Sequence, residues 1–134
     1  MMTASEVQDM IYSYGQKAAI SRRSLFLPTV PVGDGSPHLE IGDGKYHLVY
    51  SERGMEFGRR SSASIDDILY WYFDSVTSTL AFNFELENRV EGQDCRRIAF
   101  AKKRELIHSI NGEWDERLAL EIQKILRNNP FRDG

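Results

Sequence analysis

Two glycine-bearing turns, Gly42-Asp43-Gly44 and Glu52-Arg53-Gly54, stand one short strand apart and constrain this fold more than any other feature. Tight hairpin turns need positive backbone dihedrals, which glycine, asparagine and aspartate tolerate best. The segments around the turns alternate in polarity. His38 to Ile41 precedes the first turn. Lys45 to Ser51 joins the two, with Tyr46, Leu48 and Tyr50 on one face. Met55 to Arg60 follows, with Met55 and Phe57 expected inward. Short alternating runs between such turns predict a three-stranded antiparallel meander. A sheet this small needs a cover on its apolar face, which the helices below are expected to supply.

Thr3 with Glu6 has capping-box spacing, and Val7, Met10, Ile11, Tyr14 and Ala18 recur at helical spacing, so a first helix is expected over about residues 4–19. Residues 28–37, rich in Pro and Gly, read as a constrained loop. Ser64 and Asp67 open a long helix expected to reach Val90. Its apolar face is read as Ile65, Leu69, Phe73, Val76, Leu80 and Phe84. Asp67, Tyr70, Asp74, Ser78, Ala81, Glu85 and Asn88 then form its water-facing stripe. A third helix is expected over 94–110, capped by Asp94, with Cys95, Ile98, Ala99, Leu106 and Ile110 inward. A fourth starts near Glu113 with Trp114, Leu118, Ile122, Ile125 and Leu126 inward. The expected fold is α+β, with an N-terminal helix, the meander, and three C-terminal helices packed on the sheet. At 134 residues it should be a single domain over 1–134.

The net charge is -3, unevenly spread. Residues 61–93 carry one basic and six acidic side chains, while residues 94–134 carry nine basic and seven acidic. A duplex-binding protein needs a continuous basic surface, so direct nucleic-acid binding is not expected. No apolar run is long enough to span a bilayer, and Met1 to Ile11 lacks the basic start and apolar block of a signal peptide. A cytoplasmic protein without membrane association is expected.

Catalytic signals are absent. His38, His47 and His108 have no metal-ligand spacing, and Cys95 is the only cysteine, read as a buried, inert thiol. Gly33-Asp34-Gly35 lacks the lysine and hydroxyl of a phosphate loop. Asp66-Asp67 is explained by helix capping, and Arg59-Arg60 and Arg96-Arg97 by surface solvation or pairing with nearby acids. No cofactor, metal or catalytic residue is assigned.

The order and spacing of several short motifs carry a resemblance. They include Leu27-Pro28-Thr29, Pro37-His38-Leu39-Glu40, Tyr46-His47-Leu48-Val49, Glu52-Arg53-Gly54 and Arg59-Arg60. The series continues with Asp66-Asp67-Ile68-Leu69-Tyr70-Trp71, Glu85-Leu86, Arg89 to Asp94, Arg96-Arg97, Trp114, Arg117 and Pro130-Phe131. Over roughly residues 25 to 133 the chain resembles immunity protein 63, a family of bacterial immunity proteins from polymorphic toxin systems. Cys95, Phe84 and Arg132 depart from that pattern, at positions where an aromatic residue, a tyrosine and an acid are expected. The resemblance implies a cytoplasmic α+β protein, not itself an enzyme, that neutralises a cognate toxin C-terminal domain by stoichiometric binding. A nuclease is the candidate toxin, since an acidic stripe would suit a basic cleft. The candidate toxin contacts are Asp67, Tyr70, Asp74 and Glu85 on the long helix, with the sheet edge near Arg59 and Arg60, or Arg97 and Arg104 on the next helix, as alternative surfaces. The alternative function is a small ligand-binding or enzymatic domain using the 28–37 loop and the sheet histidines.

Overall fold

Asp43 and Arg53 adopt φ of 55° and 52°, and the glycines that follow them, Gly44 and Gly54, adopt 70° and 79°. Two successive positive-φ residues make the hairpin turn whose twist matches that of the strands it joins. The computed structural model describes residues Met1–Gly134. The turns connect β1 (Asp34–Gly42), β2 (Lys45–Glu52) and β3 (Met55–Ser62) into one antiparallel sheet of order β1-β2-β3. Helix α1 (Ala4–Gln16) precedes the sheet; α2 (Ile65–Glu87), α3 (Cys95–Ile110) and α4 (Gly112–Asn128) follow it. The fold is mixed α+β, as expected. The chain forms two compact units, Met1–Tyr72 and Phe73–Gly134, divided within α2.

In the N-terminal unit the Thr3–Glu6 capping box is complete, and α1 ends at Gln16, short of the expected Ala19. Gly15 lies against Leu25 so closely that a Cβ would stand 2.3 Å from a Leu25 methyl. Gln8 ties the next segment to α1. Its side-chain amide donates to the Leu25 carbonyl at 2.7 Å and accepts from the Leu27 amide at 2.8 Å. One residue further, the Pro28 carbonyl accepts from the Leu39 amide at 2.8 Å and so pairs with β1. The Tyr46 hydroxyl accepts from the Met2 amide at 2.8 Å. Val7, Ile11, Leu25, Leu39, Leu48, Ile68 and Leu69 are buried. Leu48 and its neighbour Val49 point to opposite faces of the sheet and both are buried, so both faces of β2 are shielded from water.

Two expectations for this unit are corrected. Residues 34–37 belong to β1 rather than to a loop, because the register shifts between Asp34 and Pro37 and absorbs the irregular backbone. Pro37 is tolerated there because β1 is an edge strand. Met55 and Phe57 are not inward; they are 73% and 62% exposed. Phe57 has no partner on β2, since the register shifts between Tyr50 and Ser51, and it stands as the extra residue of a bulge.

In the C-terminal unit Asn111 serves two helices. Its backbone amide caps α3 through the Ile107 carbonyl, and its side-chain oxygen accepts from the Glu113 and Trp114 amides at the start of α4. One residue therefore suffices to connect the helices. Phe73 packs on Trp114 with ring centroids 6.0 Å apart, and Ala99, Ile107, Ile110, Leu118 and Ile122 are buried. Ile125, expected inward, is exposed near the end of α4. Cys95 is half-buried rather than buried, because it is the first residue of α3, where the helix emerges toward solvent.

The C-terminal tail is held by charge. The Arg96 guanidinium donates to the Asn129 and Pro130 carbonyls, both at 2.8 Å, while pairing with Asp94. Asp94 accepts from the Arg132 amide, Asp133 pairs with Arg97, and the Arg97 guanidinium lies 4.2 Å from the Phe131 ring centre. The side-chain bond from Arg96, then the amides of Arg132 and Arg96, hold the Asp94 carboxyl far below its ordinary value. Arg97 lowers Asp133 in the same way.

Two predictions follow from these contacts. Gln8→Ala strands one amide and one carbonyl that are partly shielded from water, and should cost about 2 kcal/mol in urea denaturation. A lowered carboxyl adds stability above its ordinary value and loses it as pH falls toward the folded value. Resistance of the tail to carboxypeptidase at neutral pH should therefore be lost in Asp94→Asn. In the unmodified chain the urea midpoint should fall as pH drops below about 4, more steeply than in Asp94→Asn.

Candidate functional site

Helix α2 carries four of the six residues singled out from the sequence, and it is turned differently from expectation. Phe73, Thr77, Ala81 and Glu85, each four residues from the last, are buried, while Phe82, Phe84 and Leu86 are exposed. Leu69 and Phe73 of the predicted apolar face are buried, but from Phe73 to Glu85 the inward face is rotated by roughly a quarter turn from it, at 3.6 residues per turn. Tyr70 and Glu85, expected on the water-facing stripe, are only 1% and 2% exposed. Asp67 and Asp74 are half-buried.

Each inward polar group has a local partner, which is why polarity did not keep this face outside. The Thr77 hydroxyl donates to the Phe73 carbonyl at 2.6 Å. Both Glu85 oxygens accept from Arg89, at 2.9 and 3.1 Å, and these bonds lower the Glu85 pKa. Asp74 pairs with Lys103 of α3 at 2.6 Å, and Lys103 is itself buried. No feature of the sequence marked Lys103 as an inward residue of α3. The hydroxyl of Ser62 donates to Asp67 at 2.9 Å, across the start of α2. Arg97 pairs with Asp133, and Arg104 with Asp115, which also lies 3.4 Å from His108. The candidate contacts Asp74, Glu85, Arg97 and Arg104 are thus engaged inside the chain, and Tyr70 presents no ring at the surface.

The sheet histidines share one face without pairing. His38 aligns with Val49, and His47 with Glu40. Nε2 of His38 meets Glu40 at 2.9 Å, while its buried Nδ1 has no hydrogen-bond partner. Glu40 and Glu56 share Arg59 at 3.3 and 2.9 Å. His38, followed by Arg59, lowers the Glu40 pKa. His47 bonds to the Ser61 hydroxyl. No group of three or more His, Cys, Asp or Glu side chains is placed to hold a metal ion. No helix is long and apolar enough to cross a membrane.

Exposed large apolar side chains stand on both units, Phe26, Val30, Val32, Met55 and Phe57 on the first and Phe82, Leu86, Val90 and Leu120 on the second. On the N-terminal unit, Met55 and Phe57 border a shallow groove with Glu52 and Arg53. The Phe57 ring lies 6.3 Å from that of Tyr50, which aligns with Gly58 across the strands. On the C-terminal unit Phe82, Leu86 and Val90 are open to water, while nearby Phe84 is capped by the Lys102 ammonium at 4.7 Å from its ring centre. The only signal that could have placed Met55 and Phe57 outside is Gly58, since a glycine within a strand marks bulges.

A family model described as immunity protein 63 matches residues 42–124, from the first hairpin turn into α4. This span is shorter than the resemblance over 25 to 133. No curated protein and no solved structure matches the chain.

The ion pairs on α2 carry a prediction. Asp74→Ala removes the partner of a buried ammonium and should destabilise the chain by about 2 kcal/mol, less than a fully buried pair would cost. Asp74→Asn should recover part of that loss. Thermal denaturation of the two variants checks both.

Proposed function

The chain belongs to the immunity protein 63 family, and on that basis we propose that it binds and neutralises the toxic C-terminal domain of a cognate polymorphic toxin. The family match over residues 42–124 is the observation that carries this reading. The neutralisation is stoichiometric, by occlusion, with no chemistry performed by the immunity protein. It takes place in the cytoplasm, where the toxin would otherwise act on the producing cell or its kin. Residues 1–134 act as one immunity domain, because α2 runs unbroken from one unit into the other.

Exposed apolar side chains such as Met55 and Phe57 support a binding role, since apolar surface left open to water marks interaction sites. Tyr70 and Glu85 are buried and Asp74 is paired, so these residues are not free to meet a basic nuclease cleft. The toxin is therefore proposed as a toxic domain without a stated activity.

The test is affinity capture on this chain from its native bacterium, followed by co-expression with the toxic C-terminal domain recovered. Growth should be restored only when this chain is present, and light scattering should find a one-to-one complex. Continued killing at equal expression, with no complex formed, would reject the proposal.

A further inference from the structure

We infer that the toxin docks on the outer edge of β3, as an extended segment that adds a fourth strand and seats apolar side chains against Met55 and Phe57; this rests on the toxin-binding reading above. The two edges of the sheet are not equivalent. The β1 edge is engaged by the Pro28 carbonyl, bonded to the Leu39 amide at 2.8 Å. Outside its pairing with β2, no residue of β3 makes a backbone hydrogen bond. An eight-residue edge strand with unpaired amides and carbonyls is a template for another chain.

The side chains at this edge favour the same occupant. Met55 and Phe57 are the two most exposed large apolar residues of the sheet, and the bulge at Phe57 turns an aromatic ring outward instead of hiding it. A desolvated aromatic at the centre of a contact is the usual anchor of an interface.

Charge says what the segment carries. From Lys45 to Ser62 there are four basic and two acidic side chains. Arg59 is taken by Glu40 and Glu56, but Arg53 and Arg60 are in no ion pair; Arg60 lies 5.5 Å from the Trp71 ring centre. The complement is an extended segment with apolar residues at alternate positions and carboxylates beside them. Pairing of two β3 edges across a two-fold axis would bring these uncompensated cations together, so a second copy is disfavoured. Phe82, Leu86 and Val90 offer apolar surface from a helix and its trailing turn, without a strand edge to extend.

The experiment titrates the purified toxic domain recovered by affinity capture against three variants by calorimetry, with hydrogen exchange on the wild-type complex. Met55→Ser with Phe57→Ser should weaken binding at least about 30-fold while leaving the melting temperature within a few degrees. Phe82→Ser with Leu86→Ser should bind like wild type. Arg53→Asn suits the turn backbone and removes the charge, so it should weaken binding and flatten its salt dependence without loss of stability. Exchange should slow at the amides of β3.

Wild-type affinity in the Met55/Phe57 variant, or protection confined to α2, overturns the docking site while leaving the immunity reading intact. A wild-type chain that neither binds nor protects removes both. A dimer of the free chain that the Met55/Phe57 variant dissolves also overturns the inference and assigns this edge to self-association.

Discussion

A three-stranded sheet must settle two edges and two faces, and in this protein one backbone bond, from the Leu39 amide to the Pro28 carbonyl, decides which edge is settled. That bond depends on a route laid down earlier in the chain. Gln8 grips the backbone on both sides of Phe26, and Leu25 fills the hollow left by Gly15. The segment thus arrives beside β1 with its direction set. The β3 edge has no equivalent, and it is there that a bulge exposes Phe57.

Paired charges run through the C-terminal unit. Lys103 with Asp74, Arg104 with Asp115, and Arg96 and Arg97 with Asp94 and Asp133 account for much of its polar surface. The more exposed of these, Arg97 with Asp133 and Arg104 with Asp115, add little stability individually, unlike the pair made by the buried Lys103. Their larger effect is on specificity, since each satisfied charge is one fewer group available to a partner. Charge along the sequence is therefore a poor guide to this protein's binding surface: most of the α2 and α3 charges are already spent.

Much of the fold was legible beforehand because its signals are local. Asp43-Gly44 and Gly54 mark their turns by backbone sterics, and Thr3 and Asp94 mark helix starts by what their side chains reach within three residues, whereas the capping of α4 by Asn111 shows only in the structure. Helix α4, the most sharply amphipathic of the four, showed its inward face almost entirely. The candidate site was far less legible. Arg97 and Arg104 were correctly read as surface residues, yet their partners Asp133 and Asp115 lie 36 and 11 residues away.

The sequence by itself determined the order and type of the elements, the two hairpins and the family, because turns, caps and motif spacing act over a few residues. Tertiary structure alone decided which way α2 faces and which sheet edge stays open. Helix α2 is apolar around most of its circumference, so its pattern names no single inward side. The choice fell to long-range contacts, where Lys103 could meet Asp74 and the Pro28 carbonyl could meet the Leu39 amide. A period-two strand pattern likewise separates two faces without saying which is covered, and a bulge overrides even that alternation. Met55 and Phe57 consequently read as core in the sequence and stand as surface in the fold.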